Sequence, residues 1–210
     1  MTAGVAAILL AAGLSRRFGD DDKLLALLDG EPVIVHTARA IAACGLADFV
    51  AVTGRDDEAR RAALSAIRVR HVVVDAPQRG QGASIAAGIA AGDPRAVGVM
   101  IVPADMPRLD GALLDRLIGH FMASGATDIV FPTAGGAQRP PVIWPRSMFD
   151  ELRRLDGDSG GKAVIRRHAA IASPVALDEH EAACLDDVDT PADLDRIANR
   201  MAKASDRRAS

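Results

Sequence analysis

Apolar runs alternate with helical patterns through the first 132 residues of the chain. The run Val5–Ala12 is continuously apolar and ends at Gly13, a pattern typical of a strand that is buried on both faces. Further strand patterns occur at 48–54, 69–75, 96–103 and 128–132, and helical patterns at 32–45, 56–66, 84–91 and 110–123. Because parallel strands need crossover connections, this alternation predicts an α/β fold with a mainly parallel sheet and helices on both faces. Ligands are then expected at the carboxyl ends of the strands.

The alternation changes after Pro132. The predicted elements there are a Gly/Pro-rich loop at 133–141, a short strand at 142–144 and helical stretches at 147–155 and 161–168. We expect this part to form a small excursion or cap. The segment 184–189 is expected to return as a strand or extended segment, before a helix from about Pro191 to Ala202. No repeat or long linker divides the chain, so residues 1–204 are predicted to form a single domain and residues 205–210 a frayed tail.

Composition and charge exclude several classes of function. The net charge is −3 and the basic residues are scattered among acidic ones, which argues against a nucleic-acid partner and leaves small anions. The two cysteines, Cys44 and Cys184, offer neither a disulfide framework nor metal-ligand spacing, as expected in a reducing compartment. The run VAAILLAAG is too short to span a bilayer and lacks the basic residues that precede a secretory core. We therefore expect a cytoplasmic protein with no membrane partner.

The charged stretch LLAAGLSRRFGDDDKLL, residues 9–25, follows the first predicted strand. Gly13 permits backbone conformations that other residues resist, and a turn after a strand directs N–H groups into a concavity that suits phosphate oxygens. Arg16, Arg17 and Lys23 add positive charge, so the stretch is either an anion-binding loop or a solvated charged loop. Neither GLSRRFG nor the later DGDSGGKA has Walker A spacing. The glycines of GLSRRFG and RGQGASIAAG likewise do not match a dinucleotide-binding turn.

Four ordered motifs together carry a resemblance to a known family. LAAGLSRRFGDDDKLL resembles the signature loop of the MobA-like NTP transferases, which join a nucleotide to molybdopterin. GQGASIAAGI at 80–89, PADMPRLDGALLDRLI at 103–118 and DVDTPADL at 187–194 resemble later motifs of that family in the same order. The resemblance implies a three-layer, Rossmann-like nucleotidyltransferase fold. It also implies that a nucleoside monophosphate moves from a triphosphate to a phosphorylated small-molecule acceptor, with release of pyrophosphate.

The resemblance also implies roles for particular residues. Lys23, Arg16 and Asp105 are expected to be catalytic, because negative charge accumulates when two phosphates are aligned. The implied cofactor is Mg²⁺, with Asp105 and Asp189 as ligands, since this ion uses one or two carboxylates while phosphates and waters complete its shell. The implied nucleotide-binding residues are Leu10, Ala11, Ala12, Gly13, Ser15, Arg16, Lys23, Gly80, Gly82 and Ser84.

Several of these residues also have a purely structural interpretation. Asp105 is also a candidate turn former or helix cap, and Asp189 a candidate helix N-cap. Asp187 and Thr190 are alternatives to Asp189 for either task. Ser84 stands near the start of a predicted helix and is equally a candidate N-cap. The three aspartates at 20–22 would repel a phosphate, so we expect them to face solvent.

The motifs also bear on the donor base and the acceptor. LAAG and Ser84 resemble the cytidylyltransferase branch and favour CTP. The length of the loop before Lys23 is that of the guanylyltransferase branch, and Gly82 and Ala83 replace two serines of the family motif. Molybdopterin is the implied acceptor, and transient contact with a molybdoenzyme or its chaperone is implied as well. The expected acceptor-binding residues are Arg139, Asp158 and Lys162.

Two other functions fit the same motifs. A sugar-phosphate or polyol-phosphate nucleotidyltransferase would share the loop and both aspartates but would need hydroxyl-reading polar residues around 133–162. A nucleotide-binding accessory protein would keep the loop without releasing pyrophosphate.

The five histidines share no common spacing, which argues against a histidine metal site, and Trp144 is expected to pack within the excursion.

Overall fold

The computed structural model describes residues 4–15, 17–19, 21–75, 77–157 and 161–209. Its strands are β1 (Val5–Leu10), β2 (Leu27–Leu28), β3 (Glu31–Pro32), β4 (Asp48–Gly54), β5 (Arg70–Val74), β6 (Gly98–Pro103), β7 (Ile129–Ala134), β8 (Ala137–Gln138), β9 (Val142–Pro145) and β10 (Ala172–Ala176). Eight of these strands form one sheet in the order β10-β7-β9-β6-β1-β4-β5, with β8 paired to β7. The other two, β2 and β3, form a small antiparallel hairpin.

Helices connect most of the strands. They are α1 (Val33–Ala42), α2 (Glu58–Ala63), α3 (Gln81–Ala91), α4 (Gly111–Ala123), α5 (Phe149–Leu152), α6 (Gly161–Arg167), α7 (Glu179–Ala182) and α8 (Pro191–Ala209). α1 begins directly after Pro32, whose fixed φ suits the residue before a first helical turn. In the described part of the chain, no helix has both the length and the apolar composition that a bilayer crossing requires.

The sheet is mainly parallel, as the alternation of elements predicts. β1 pairs in parallel with β4 and β6, β4 with β5, and β7 with β10. Only β8 and β9 run antiparallel to their neighbours in this sheet. The predicted α/β fold with helices on both faces is confirmed.

The apolar run of β1 is continuous because both faces of the sheet are covered. Val5, Ala7 and Leu9 point into one core cluster, which contains the buried residues of α1 and α4. Ala6 and Ile8 point into a second cluster, formed with α3, α5 and α6 on the other face. Successive side chains of a strand alternate between faces, so a strand between two helical layers needs apolar residues at every position.

The expected excursion after residue 132 is partly built into the sheet. Gly135 and Gly136 both adopt positive φ and make the tight turn between β7 and β8. The chain then returns as β9, which lies between β6 and β7 and buries Trp144 in the second core cluster. The packing role expected for Trp144 is therefore confirmed. The structure also adds the edge strand β10, where Pro174 interrupts the usual strand pattern.

The last part of the chain differs from expectation in length. Ala183–Leu185 form a 3-10 turn, so the strand or extended segment expected at 184–189 is wrong for its first two residues. Residues 186–189 belong to no helix or strand. α8 runs to Ala209, so its backbone continues past Ala202 through most of the segment 205–210, for which the sequence predicts a frayed tail. The bounds of a single domain at 1–204 stay a prediction.

Candidate active site

A cavity of about 310 Å³ lies at the carboxyl ends of β1 and β6. It forms there because these neighbouring parallel strands end at the same edge, where the Ala104 N–H donates to the Leu10 carbonyl at 3.1 Å. The predicted site residues that line it are Leu10, Ala12, Gly13, Lys23, Gly80, Ser84 and Asp105. Ala11, Ser15, Gly82 and Asp189 lie outside this lining, and Arg16 lies outside the described residues.

Lys23 joins the two aspartates that the sequence identifies as metal ligands. Its Nζ donates to Oδ2 of Asp105 at 2.5 Å and to Oδ1 of Asp189 at 3.1 Å. The largely exposed Arg17 adds a second cation 2.9 Å from Asp189. The first and the last motif, 166 residues apart in the chain, thus meet at one ammonium group.

The charges of Lys23 and Asp105 shift each other's pKa. Burial by itself lowers the pKa of Lys23, but the charges and hydrogen bonds of Asp105 and Asp189 outweigh it and raise that pKa. Burial raises the pKa of Asp105, while the Lys23 ammonium opposes the rise. A carboxylate that is largely removed from water is costly without a cation, so the Lys23 ammonium favours the ionised form of Asp105.

Backbone contacts hold Asp105 at the edge of the sheet. The buried Thr37 of α1 donates its hydroxyl to the Ala104 carbonyl at 3.0 Å. The Val188 N–H donates to the Asp105 carbonyl at 2.9 Å and so ties the C-terminal motif to this turn. Asp105 does not cap the following helix, because Asp110 is the N-cap of α4 and accepts from the Ala112 N–H at 3.0 Å.

The N-cap interpretation of Asp189 is wrong. At the start of α8 the Asp193 N–H donates to the Thr190 hydroxyl oxygen at 3.2 Å, while Asp193 accepts from the Thr190 N–H at 3.0 Å. This reciprocal pattern is that of a capping box, so the Asp189 carboxylate is free to face Lys23. Asp187 instead lies 3.6 Å from Arg139 and is half-exposed. Of the two aspartates, only Asp189 contacts the lysine.

The position of Asp22 in the charged loop differs from the expected one. Asp22 does not face solvent, because both of its carboxylate oxygens accept hydrogen bonds from the buried guanidinium of Arg60. The reason is electrostatic: a buried arginine needs a carboxylate, and Asp22 supplies it. Asp21 is exposed as expected, and Asp20 lies outside the described residues.

The middle motif places three of its residues, Gly80, Gln81 and Ser84, at the cavity. α3 begins at Gln81 with Gly80 as its N-cap at φ 88°, so the N-cap interpretation of Ser84 is wrong. Ser84 is instead buried in the first turns of the helix and borders the cavity. Gly82, one of the expected nucleotide-binding residues, lies against protein backbone, and its N–H donates to the Gly157 carbonyl at 2.9 Å.

A second cavity, of about 180 Å³, lies beside the first and shares Leu10, Gln81 and Pro103 with it. Its walls are mainly apolar, with Ile85, Ile101, Pro140, Val142 and Trp144. Its polar lining consists of Gln81, Gln138, Arg139 and Lys162. The structure therefore brings together two of the three predicted acceptor-binding residues, while Asp158 lies outside the described part of the chain.

Two glutamines at the site escaped the sequence analysis. Gln78 lines the first cavity and Gln81 lines both cavities. Their amides both donate and accept, so they can read polar groups of a ligand. The signal available in the sequence was their position on either side of Gly80, next to a predicted phosphate or base contact.

Comparison with known proteins agrees with this geometry. The chain is 29% identical over 204 residues to the purine catabolism protein PucB of Bacillus subtilis, covering 92% of this chain and 96% of PucB. It is 34% identical over 166 residues to a molybdenum cofactor guanylyltransferase of Burkholderia vietnamiensis, covering 78% of each chain.

A solved structure gives the same picture at the level of the fold. Rv0371c of Mycobacterium tuberculosis superposes with a TM-score of 0.81 at 28% identity, covering 95% of this chain and 100% of that one. Residues 7–172 match the family described as MobA-like NTP transferase domain. The match spans most of the chain and includes the three motifs that line the first cavity, and the chain therefore belongs to the MobA-like NTP transferase family, a family of nucleotidyltransferases.

Proposed function

We propose that this protein transfers a nucleoside monophosphate from a nucleoside triphosphate to the phosphate of molybdopterin, with CTP as the preferred donor and pyrophosphate as the second product. The observation that carries the proposal is the pair of adjoining cavities. One contains the Lys23, Asp105 and glycine-loop contacts suited to a triphosphate, and the other has apolar walls and two cationic side chains. Because the two cavities share Leu10, Gln81 and Pro103, donor and acceptor phosphates can meet at their boundary.

The chemistry of the proposed step is a displacement at phosphorus. An oxygen of the acceptor phosphate attacks the α-phosphorus, the bond from that phosphorus to the bridging oxygen of the β-phosphate breaks, and pyrophosphate leaves with the electron pair. Lys23 lines the first cavity, and its ammonium group is therefore positioned to neutralise charge on the triphosphate. The Gly13 loop adds backbone N–H groups at the end of β1.

The donor set fits the implied Mg²⁺. Asp105 and Asp189 supply two carboxylates at the cavity edge, and the described residues contain no cluster of three or more protein ligands that would favour a closed metal site. Such a pair suits an ion that retains waters and uses substrate phosphates, and when bound it would neutralise phosphate charge. The manganese complex solved for Rv0371c of Mycobacterium tuberculosis, 27% identical to this chain, supports a divalent cation.

The second cavity favours an acceptor with an apolar or aromatic body. Seven apolar side chains line it, and its charged groups are Arg139 and Lys162, which suit a phosphate. A polyol phosphate would present several hydroxyl groups, for which only Gln81 and Gln138 are available as neutral polar partners. This lining supports molybdopterin over a sugar or polyol phosphate.

The donor base has a second candidate. LAAG and Ser84 favour CTP, but the molybdenum cofactor relatives are named guanylyltransferases, which supports GTP. We also propose a cytoplasmic location, because both cysteines are free, as expected in a reducing compartment. A transient contact with a molybdoenzyme or its chaperone would deliver the product.

The test is a panel of the four nucleoside triphosphates with Mg²⁺, with and without molybdopterin, scored for pyrophosphate. We expect release to require molybdopterin and to be fastest with CTP. Faster release with GTP would transfer the donor assignment to GTP. Release with a polyol phosphate but not with molybdopterin would identify the other transferase class, and nucleotide binding without release would indicate an accessory protein.

A pair of variants tests the residue roles. Asp105→Asn keeps the size of the side chain but removes its charge, so transfer should fall by about a hundredfold or more while the protein stays folded. Asp195→Asn is the matched control, because Asp195 is exposed on α8, away from both cavities. An Asp105→Asn protein that turns over like the control would remove Asp105 from the mechanism.

A further inference from the structure

Arg60 of α2 is the one charged residue that is buried in the described part of the chain. Its side chain is only 5% exposed, although it lies on a short surface helix between β4 and β5. A charged group in such a position is costly unless every donor finds a partner. Its contacts therefore indicate what the arginine is for.

The guanidinium joins both ends of the charged loop. Nη1 donates to the Ala11 carbonyl at 2.6 Å, at the first residue after β1, and to Oδ2 of Asp57, the N-cap of its own helix, at 3.1 Å. Nε and Nη2 donate to the two oxygens of Asp22 at 2.6 Å and 2.9 Å, at the residue before Lys23. Oδ1 of Asp22, which accepts from Nη2, also accepts from the Ser15 hydroxyl and from the Leu24 N–H. Arg60 thus links residue 11 to residue 22.

The loop needs such an external support. Ser15 adopts φ 49°, a conformation that a residue other than glycine occupies only when its surroundings impose it. The support also has a defined geometry, because the guanidinium is planar and its two parallel hydrogen bonds to Asp22 set the position of that carboxylate. A lysine could supply the positive charge but not the two parallel hydrogen bonds to one carboxylate.

We infer that Arg60 is a positioning residue for the triphosphate: it holds the loop so that Gly13 and Lys23 face the cavity before nucleotide binds. Arg60 does not line either cavity, so it acts through Ala11 and Asp22. A loop ordered in advance spares the nucleotide the entropy of ordering it. This inference rests on the proposed function for its consequence in catalysis, whereas its structural part concerns the loop alone.

The experiment compares Arg60→Lys with Arg61→Lys. Arg61 is the next residue of α2 and donates to Thr53 Oγ1 and to the Gly54 and Arg55 carbonyls, but it does not contact the loop. Hydrogen exchange of the nucleotide-free protein reads out loop order directly. In Arg60→Lys we expect the Leu24 and Leu25 amides to exchange at least tenfold faster, with β1 amides unchanged. Arg61→Lys should leave both groups unchanged.

Nucleotide measurements on the same variants separate positioning from general stability. We expect Arg60→Lys to weaken CTP or GTP binding at least fivefold in calorimetry and to raise KM more than it lowers kcat. Asp22→Asn keeps the shape of the partner and should reproduce the exchange defect, which covers the case in which Arg60→Lys does not fold. The double variant should be no worse than either single one.

The outcomes are distinguishable from failure of the proposed function. If the loop amides of Arg60→Lys stay as protected as in the parental protein, the inference is wrong whatever the activity. If β1 and loop amides lose protection together, Arg60 is a general stabilising residue and the inference is also wrong. If the parental protein binds no nucleotide but the loop effect is present, the proposed function fails and the structural assignment of Arg60 stands.

Discussion

Gly82→Ala offers a sharp test of how tightly the middle motif is packed. Gly82 is the second residue of α3 and lies against the backbone of residues 156–157. A Cβ at this position would lie 2.8 Å from the backbone N of Asp156, 2.9 Å from its carbonyl carbon and 2.9 Å from the Gly157 carbonyl oxygen. All three atoms belong to the backbone, so no side-chain rotation can relieve the contact. Either α3 or the 156–157 segment must move.

The size of the effect follows from two opposing contributions. Overpacking of this kind costs about 1–3 kcal/mol, because helix or loop has to shift. The higher helix propensity of alanine offsets up to about 1 kcal/mol of this cost. A net loss of about 1–2 kcal/mol corresponds to a Tm roughly 2–8 °C lower in a chain of this size.

Gly119→Ala is the matched control within the same protein. Gly119 lies in α4, is exposed, and would place its Cβ in open space, with no heavy atom within 4 Å. Alanine there should stabilise the protein by about 0.5–1 kcal/mol, because it lowers the entropy of the unfolded chain. The two Gly→Ala changes are therefore expected to move Tm in opposite directions.

Differential scanning calorimetry of the parental protein and both variants measures this contrast. Because Gln81, the neighbour of Gly82, lines both cavities, Gly82→Ala should also weaken nucleotide binding. A Gly82→Ala protein that melts at or above the parental temperature would refute the reasoning, since the close backbone approach would then have no energetic consequence. Equal downward shifts for both variants would refute it as well.

Three further changes have expected outcomes. Lys23→Met leaves two carboxylates without their shared cation and should cost about 1–3 kcal/mol in thermal melts with chelator, against about 0.5 kcal/mol or less for Lys162→Met. Hydrogen bonds hold the pKa of Asp193 at about 2, so its stabilising effect is present above its ordinary pKa and is lost as pH falls to 2. Asp193→Asn should then cost about 1–2 kcal/mol at pH 7 in denaturant titrations, with the difference vanishing near pH 2. Burial raises the pKa of Cys44 to about 12 and raises that of Cys184, so both thiols should react slowly with a disulfide reagent at pH 8 until guanidinium unfolds the protein.

Much of the fold was predictable because its signals are local. The continuous apolar run of β1 and the alternation of strands with helices predict a parallel sheet, since both follow from burial on two faces. The antiparallel return of β9 into the middle of the sheet was not predictable in the same way. Its position between β6 and β7 depends on which neighbours have unpaired edges, a property of the assembled sheet.

The residues of the candidate site were likewise predictable only where a local motif identified them. The motifs identified Lys23, Asp105 and Asp189 as residues of one site. The topology of parallel strands explains why the first two meet at one edge of the sheet. The glutamines at the cavities carried no motif of their own. The role expected for Gly82 changed because the segment that packs against it is more than 70 residues away in the chain.

The sequence by itself determined the residue types available for chemistry, the two-sided burial of the sheet and the membership of a nucleotidyltransferase family. Only the tertiary structure decided that Asp189 rather than Asp187 faces Lys23, and that Asp22 turns inward to Arg60. Local spacing cannot encode these choices, because each depends on contacts between residues 38 to 166 positions apart. The contacts that form are those that leave no buried charge without a partner, because an unpaired buried charge is costly. This cost exists only once the chain has folded.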